Sequence, residues 1–377
     1  MTAPMLSRRT VLLATGATAL TLSTRWAHAA PWKGYGNAIV IDGLGGPGSL
    51  TAEPGAPLTE AHIKDVRDSG LTAVLVTIGP VGTTAPDEAF KDAVRSMLNM
   101  DREIARHPDT FVRIRTAADI TAAKKAKRTG LIYGVQDGVA FETDLDLLAD
   151  LHLLGLRVVQ PTYNRRNLLG DGCMETANAG LSRTGIEAIE RLNSLGMLVD
   201  LSHCGRQTSA DAIRASKQPV AFTHTGAAAV ADHPRHRTDA ELRAVADKGG
   251  VSGVFVMPYL AGGKQPTGAD VVRHLEHMIN VAGEDHVSIG TDGTVSPAVI
   301  DQKYKDAFAD TTRKRKEAGI AAPGETEDGY LFANDLNTPN RLDTLAQMLA
   351  DRGHSSTRIE KILGRNLLRV FSEVWRG

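Results

Sequence analysis

Eight short segments rich in Val, Ile, Leu and Ala recur along this chain, separated by stretches of helical periodicity. Strands are predicted at Ala38–Asp42, Ala73–Thr77, Leu131–Val135, Arg157–Pro161, Leu198–Leu201, Val220–Thr223, Gly250–Val256 and His286–Gly290. Several are apolar on both faces, the pattern of a parallel sheet covered on both sides. Helices are predicted between them at Thr59–Asp68, Glu88–Arg106, Asp144–Leu154, Gly185–Leu195, Thr208–Ala215, Asp239–Asp247 and Ala269–Ala282. Eight alternations over this length favour an α/β chain folded as a single (β/α)8 TIM barrel over a doubly wound open sheet. The glycine-rich turn Gly43-Leu44-Gly45-Gly46-Pro47-Gly48 contains proline and opens no helix, so it makes a poor phosphate cradle.

Residues 1–29 read as a secretion signal rather than as part of the fold. Ser7-Arg8-Arg9-Thr10 precedes an apolar run from Val11 to Leu22 and the small-residue site Ala27-His28-Ala29. That is a twin-arginine signal, and the apolar run is too short to span a membrane stably. It implies export of a folded protein to a periplasm. Residues 30–377 are expected to form one barrel domain with a C-terminal helical extension. Pro297 to Thr338 is polar and lacks a periodic core, as a loop-and-helix insertion over the active-site face would. Its run Arg313-Lys314-Arg315-Lys316 reads as a solvated helix face. Arg341–Arg352 and Ser356–Val374 are the closing helices.

Forty-three basic and 44 acidic residues leave a formal net charge of −1, dispersed along the chain, which gives nucleic-acid binding no electrostatic support. The two cysteines, Cys173 and Cys204, do not make a disulfide scaffold; one bridge and two free thiols both remain open.

The chemistry concentrates where two predicted strands end. Val199-Asp200-Leu201-Ser202-His203 and Ala221-Phe222-Thr223-His224 each deliver a histidine at a strand's carboxyl end, separated by a helical segment. In a barrel this edge carries the reacting groups. Imidazoles from adjacent strands can share a metal ion or a substrate carbonyl.

Further blocks surround these two: Ser216-Lys217-Gln218-Pro219-Val220, His233-Pro234-Arg235 with Asp239, and His274-x-x-His277. Asp285-His286-Val287-x-Ile289-Gly290-Thr291-Asp292-Gly293 and Ile362-Leu363-Gly364-Arg365-Asn366-Leu367-Leu368-Arg369-Val370-Phe371 follow. In this order, from about Asp42 to Trp375, they resemble the membrane (renal) dipeptidase family. The resemblance implies a metal-dependent barrel hydrolase of dipeptides, plausibly a homodimer, with two zinc ions. Those ions are held by His-x-Asp on the first strand, a bridging Glu on the third and two later histidines. Carried over, the later histidines fall on His203 and His224, the arginine for the substrate carboxylate on Arg235, and the catalytic aspartate on Asp292.

The chain departs from that pattern at three places. Asp42-Gly43-Leu44-Gly45-Gly46 puts Leu44 and Gly46 at the first-strand ligand positions, Gln136 replaces the bridging glutamate, and Tyr163 replaces a substrate-contacting histidine. Leucine and glycine side chains offer a metal nothing, and a glutamine carbonyl is a weak neutral donor. The expectation is therefore one zinc ion, held by His203, His224 and Asp292, or no metal. Without metal, His203 or His224 activates water, Asp292 orients or accepts a proton, and Tyr163 stabilises an oxyanion. Asn164, beside Arg165 and Arg166, is expected to help hold a substrate carboxylate, and Glu175 is a candidate replacement carboxylate. The expected activity is hydrolysis of a dipeptide or related small amide bearing a free carboxylate. The alternative is a non-catalytic periplasmic binding protein that keeps the carboxylate pocket.

Overall fold

The structure, a computed structural model, describes residues 32–49, 55–82 and 85–375. The signal expected at residues 1–29 lies outside them. Among the described residues no helix is long and apolar enough to cross a membrane.

The chain alternates strand and helix in the order β1 (Ile41–Gly46), α1 (Glu60–Ser69), β2 (Ala73–Thr77), α2 (Pro86–Arg106), β3 (Phe111–Arg113), α3 (Ala117–Lys125), β4 (Thr129–Val135), α4 (Leu147–Leu154), β5 (Leu156–Val159) and α5 (Arg183–Leu195). It continues with β6 (Leu198–Asp200), α6 (Arg206–Ala215), β7 (Val220–Ala227), β8 (His236–Arg237), α7 (Asp239–Asp247), β9 (Val251–Val254), α8 (Gly268–Ala282), β10 (Val287–Ile289) and β11 (Gly293–Thr294). Four helices complete it: α9 (Gln302–Glu317), α10 (Arg341–Asp351), α11 (Ser356–Glu360) and α12 (Asn366–Val374). The sheet runs β10-β9-β7-β6-β5-β4-β2-β1-β11, and every pairing is parallel. Because β11 follows β10 directly and pairs with β1, the two short strands act as a split eighth stave that closes the barrel. β3 and β8 pair off this path, with β4 and β7.

All eight expected strands lie on the barrel path. The first one differs in extent, because it continues through the glycine-rich turn to Gly46. The reason is a bulge in β7 between Phe222 and Thr225, beside which the Thr223 carbonyl approaches its neighbours. A Cβ at Gly253 or Gly290 would sit 2.1 Å from that oxygen, and one at Gly43 would sit 2.8 Å from it. Glycine there is a packing requirement, not a loop signal. The short β3 and α3 carry too few periodic residues to stand out in sequence.

Two buried aspartates stitch strand ends together. Asp42 accepts from the Leu44 and Thr291 amides and the Thr291 hydroxyl, tying β1 to the last stave. Asp200 accepts from the amides and hydroxyls of both Ser202 and Thr223, tying β6 to β7. The opposite pole is shut by α12, whose Leu367, Val370, Phe371 and Val374 pack against the Ile41, Ala73, Leu198 and Val251 ends of the strands.

Candidate active site

His203 and His224 follow the two residues that Asp200 anchors, so one buried carboxylate sets the end of both strands. Both rings are buried, with centroids 5.1 Å apart. His203 Nδ1 donates to Asn164 Oδ1 at 2.6 Å. His224 Nδ1 lies 2.8 Å from Thr223 Oγ1, whose own proton goes to Asp200, so the ring nitrogen is the donor. Each ring thus keeps its lone pair on Nε2, and neither Nε2 has a hydrogen-bond partner. Burial, with Arg235 next to both rings, holds both pKa values well below the usual histidine range. They are neutral bases at physiological pH.

Arg235 is 3% exposed, on the loop that enters β8. Its guanidinium donates weakly to the Ser202 and His224 carbonyls at 3.4 and 3.3 Å and lies over the Phe255 ring. Among the described residues it forms no ion pair. A buried cation without an ion-pair partner is costly.

Tyr163 stacks on His203 with centroids 4.1 Å apart. Its hydroxyl accepts from Arg315 Nη1 at 3.3 Å, which leaves its own proton free to donate. Asp292 occupies the break in the eighth stave with φ 55°, a left-handed conformation that aspartate tolerates better than most residues. Burial pushes its carboxyl up to about 6, against the pull of Arg235 and Arg315.

Asn164 is 1% exposed, with its amide oxygen shared by His203 and Cys173 and one N–H given to the Ile320 carbonyl, so its observed bonds hold His203 and the insertion in place. Arg315 was read as part of a solvated face, but it turns inward. It forks onto both carboxylate oxygens of Glu325 at 2.8 and 2.9 Å and reaches Tyr163. The signal that identifies it is Glu325 ten residues on, which meets it only through the turn after α9.

The insertion closes the site, as expected. His233 Nε2 donates to the Pro323 carbonyl, Tyr259 to Glu325, and Arg165 to the Ala318 carbonyl. His233 borders two crevices of about 550 and 330 Å³ that flank the loop carrying Arg235.

The donor set does not fit a two-metal centre. Leu44 is buried apolar packing, and Gln136 donates to Thr77 Oγ1 at 2.7 Å. Glu175 accepts from the Arg166 amide instead of entering the site. Among the described residues no three His, Cys, Asp or Glu side chains converge as a metal set, so Asp292 does not join the histidines as a third ligand. Among the described residues the Nε2 atoms of His203 and His224 have no partner, and each ring donates its Nδ1–H to an oxygen, the arrangement in which two imidazoles could hold one ion. His274 is structural, bonded to the Leu260 carbonyl and the Ala227 amide. Cys173 and Cys204 are free thiols.

A sequence model of membrane dipeptidase, peptidase family M19, matches residues 53–322. A Klebsiella pneumoniae protein, "uncharacterized protein in pqqA 5'region", is 28% identical over 272 residues, covering 69% of this chain and 88% of its own. Dipeptidase verJ of Clonostachys rogersoniana is 27% identical over 274 residues, 72% of this chain and 62% of its own. An amidohydrolase structure from Pseudomonas aeruginosa matches with a TM-score of 0.77 at 31% identity, covering 92% of this chain and 99% of that one. A metallopeptidase from Rhodobacter sphaeroides, liganded with a phosphinate mimic of L-Ala-D-Ala, shares the fold at 19% identity with a TM-score of 0.71, covering 90% and 100%. This chain is a member of the membrane dipeptidase family, peptidase family M19.

Proposed function

We propose that this protein hydrolyses a dipeptide or a related small amide with a free carboxylate, in a site that holds at most one zinc ion. The observation that carries this reading is Arg235, buried and without an ion pair, beside two imidazoles with unpartnered Nε2 atoms. The Arg235 guanidinium binds the substrate carboxylate through charge-assisted hydrogen bonds. Holding that end fixed orients the amide against the imidazole edge. A histidine Nε2 takes a proton from the attacking water. The Tyr163 hydroxyl donates to the developing oxyanion, and Asp292 relays the water's proton to the amide nitrogen, which leaves as the amine when the C–N bond breaks. If zinc is loaded, His203 and His224 would hold it through the same Nε2 atoms in place of the base role, and the ion would lower the pKa of a bound water and polarise the carbonyl. Asn164 acts on this chemistry through His203, not through substrate. The twin-arginine segment at residues 1–29 supports a periplasmic place of action.

The test compares a dipeptide panel with the same peptides as C-terminal amides. Wild type is expected to lose about a hundredfold or more in kcat/KM on amidation, since a charge-assisted pair contributes ~3 kcal/mol. Arg235→Gln is expected to erase that preference. Equal rates on acid and amide would overturn the reading. The missing ligand positions Leu44, Gly46 and Gln136 favour a second reading, a binding protein. Saturable dipeptide binding without turnover, lost in Arg235→Gln, would establish it.

A further inference from the structure

The pole of the barrel opposite the reacting groups carries a crevice of about 470 Å³, between the C-terminal ends of α1 and α3. Arg67, Lys124, Lys125, Lys127 and Arg128 line it, and no acidic side chain does. None of these five cations forms an ion pair among the described residues. Elsewhere on the surface the chain pairs its charges freely: Lys64 with Asp68, Lys91 with Glu88, Arg95 with Asp92.

The local bonding leaves the charge available. Arg67 donates Nε to the Thr110 hydroxyl at 2.9 Å, and Arg128 donates one Nη1 bond to the Pro108 carbonyl at 3.2 Å. Both guanidiniums therefore have further N–H groups to give. Lys124 is half-buried, and burial lowers its pKa, so its charge is held at some cost. Basic residues at a helix C-terminus interact favourably with the helix dipole, which explains two lysines in the last turn of α3. The same holds for Arg67 in the last turn of α1, but it does not explain why two helix ends bring their cations to one crevice with no acidic residue lining it. Nor does it explain Lys127, which holds φ 54° past the helix end, where glycine is the usual occupant. Five like charges around one concavity repel one another unless an anion sits among them.

We propose that this crevice binds a phosphate-bearing anion, with the two arginines forking onto phosphate oxygens and the lysines supplying point charge. The multiple charges and the small-ligand size favour a diphosphate group over a single carboxylate. The phosphate reaches the crevice either on a free anion such as a diphosphate or on an anionic lipid headgroup.

The experiment titrates sodium pyrophosphate into the full chain at low ionic strength by calorimetry. A parallel arm uses sedimentation with vesicles of phosphatidylglycerol and of phosphatidylcholine. Saturable one-to-one pyrophosphate binding identifies the free ion, and sedimentation with phosphatidylglycerol alone identifies the headgroup. In either case Lys125→Glu/Arg128→Glu is expected to weaken binding at least tenfold while its dipeptide hydrolysis stays at the wild-type level. Arg235→Gln is expected to keep the binding, which separates this crevice from the carboxylate clamp. If the double variant does not fold, Lys125→Gln/Arg128→Gln serves, with a smaller loss expected. Binding unaffected by these substitutions, binding lost in Arg235→Gln, or no binding in either arm overturns the proposal.

Discussion

Asn164 and His203 share a buried 2.6 Å hydrogen bond that fixes which nitrogen of the imidazole faces the site. The amide oxygen accepts, so Nδ1 carries the proton and Nε2 carries the lone pair. The same amide donates to the Ile320 carbonyl, so a single side chain joins His203 to the insertion above it. Asn164→Ala is expected to lower kcat by about 10- to 100-fold, the usual scale for losing a partner of this kind. KM should change little, since the lost bond is the one to His203. Asn164→Asp keeps the acceptor and adds a charge. It is expected to retain more activity than the alanine variant and to raise the His203 pKa. Steady-state kinetics with 15N imidazole spectra checks both.

The Asp292 carboxyl sits near 6, raised by burial. If it works as a carboxylate, it is protonated below that value and ionised above it. The rate is therefore expected to rise with pH and level off above about 6, falling about tenfold per unit on the acid side. Asp292→Asn is expected to remove that acid limb along with most of the turnover. A pH–rate profile flat between 5 and 7 would contradict the assignment.

Arg315 and Glu325 pin the insertion over Tyr163. Arg315→Leu leaves the Glu325 carboxylate poorly paired in a largely covered position. It is expected to cost about 1–3 kcal/mol of stability and to lower kcat/KM. The double variant Arg315→Leu/Glu325→Leu removes both charges and is expected to cost less than the two single changes together. Thermal denaturation of the three variants checks this.

Burial lowers His236 to about 3 and His274 to about 4. Both values lie below the unfolded value of ~6.5, so the unfolded chain takes up protons that the native chain refuses. Stability is therefore expected to fall as pH drops from about 6.5 toward 4. His274→Asn should flatten that decline by about 1 kcal/mol per unit. Asp42 and Asp137, each raised to about 6, act in the opposite sense, losing their contribution as pH rises through 6. Denaturant unfolding at pH 7 and pH 5 reads the difference.

The barrel was legible because its strands are apolar on both faces and its helices mostly long. Strand-end position also marked His203, His224 and Asp292 as candidates before any geometry. Three features could not be read. Gly43 belongs to a strand because the Thr223 carbonyl occupies the space of a side chain, a contact made across 180 residues of sequence. Asn164 looks like a rim amide until its buried bonds to His203 and the Ile320 carbonyl are seen. Arg315 shares its run with Arg313, Lys314 and Lys316, all exposed, and nothing in the run marks which one turns inward.

On the function proposed here, the site keeps an imidazole pair and a carboxylate clamp without the ligands for a second metal. Elemental analysis of protein purified after zinc loading, with dipeptide turnover measured on the same sample, tests it most directly. The expected result is no more than one zinc per chain, with turnover abolished in His203→Ala. Two zinc ions per chain, or full turnover in His203→Ala, would contradict it.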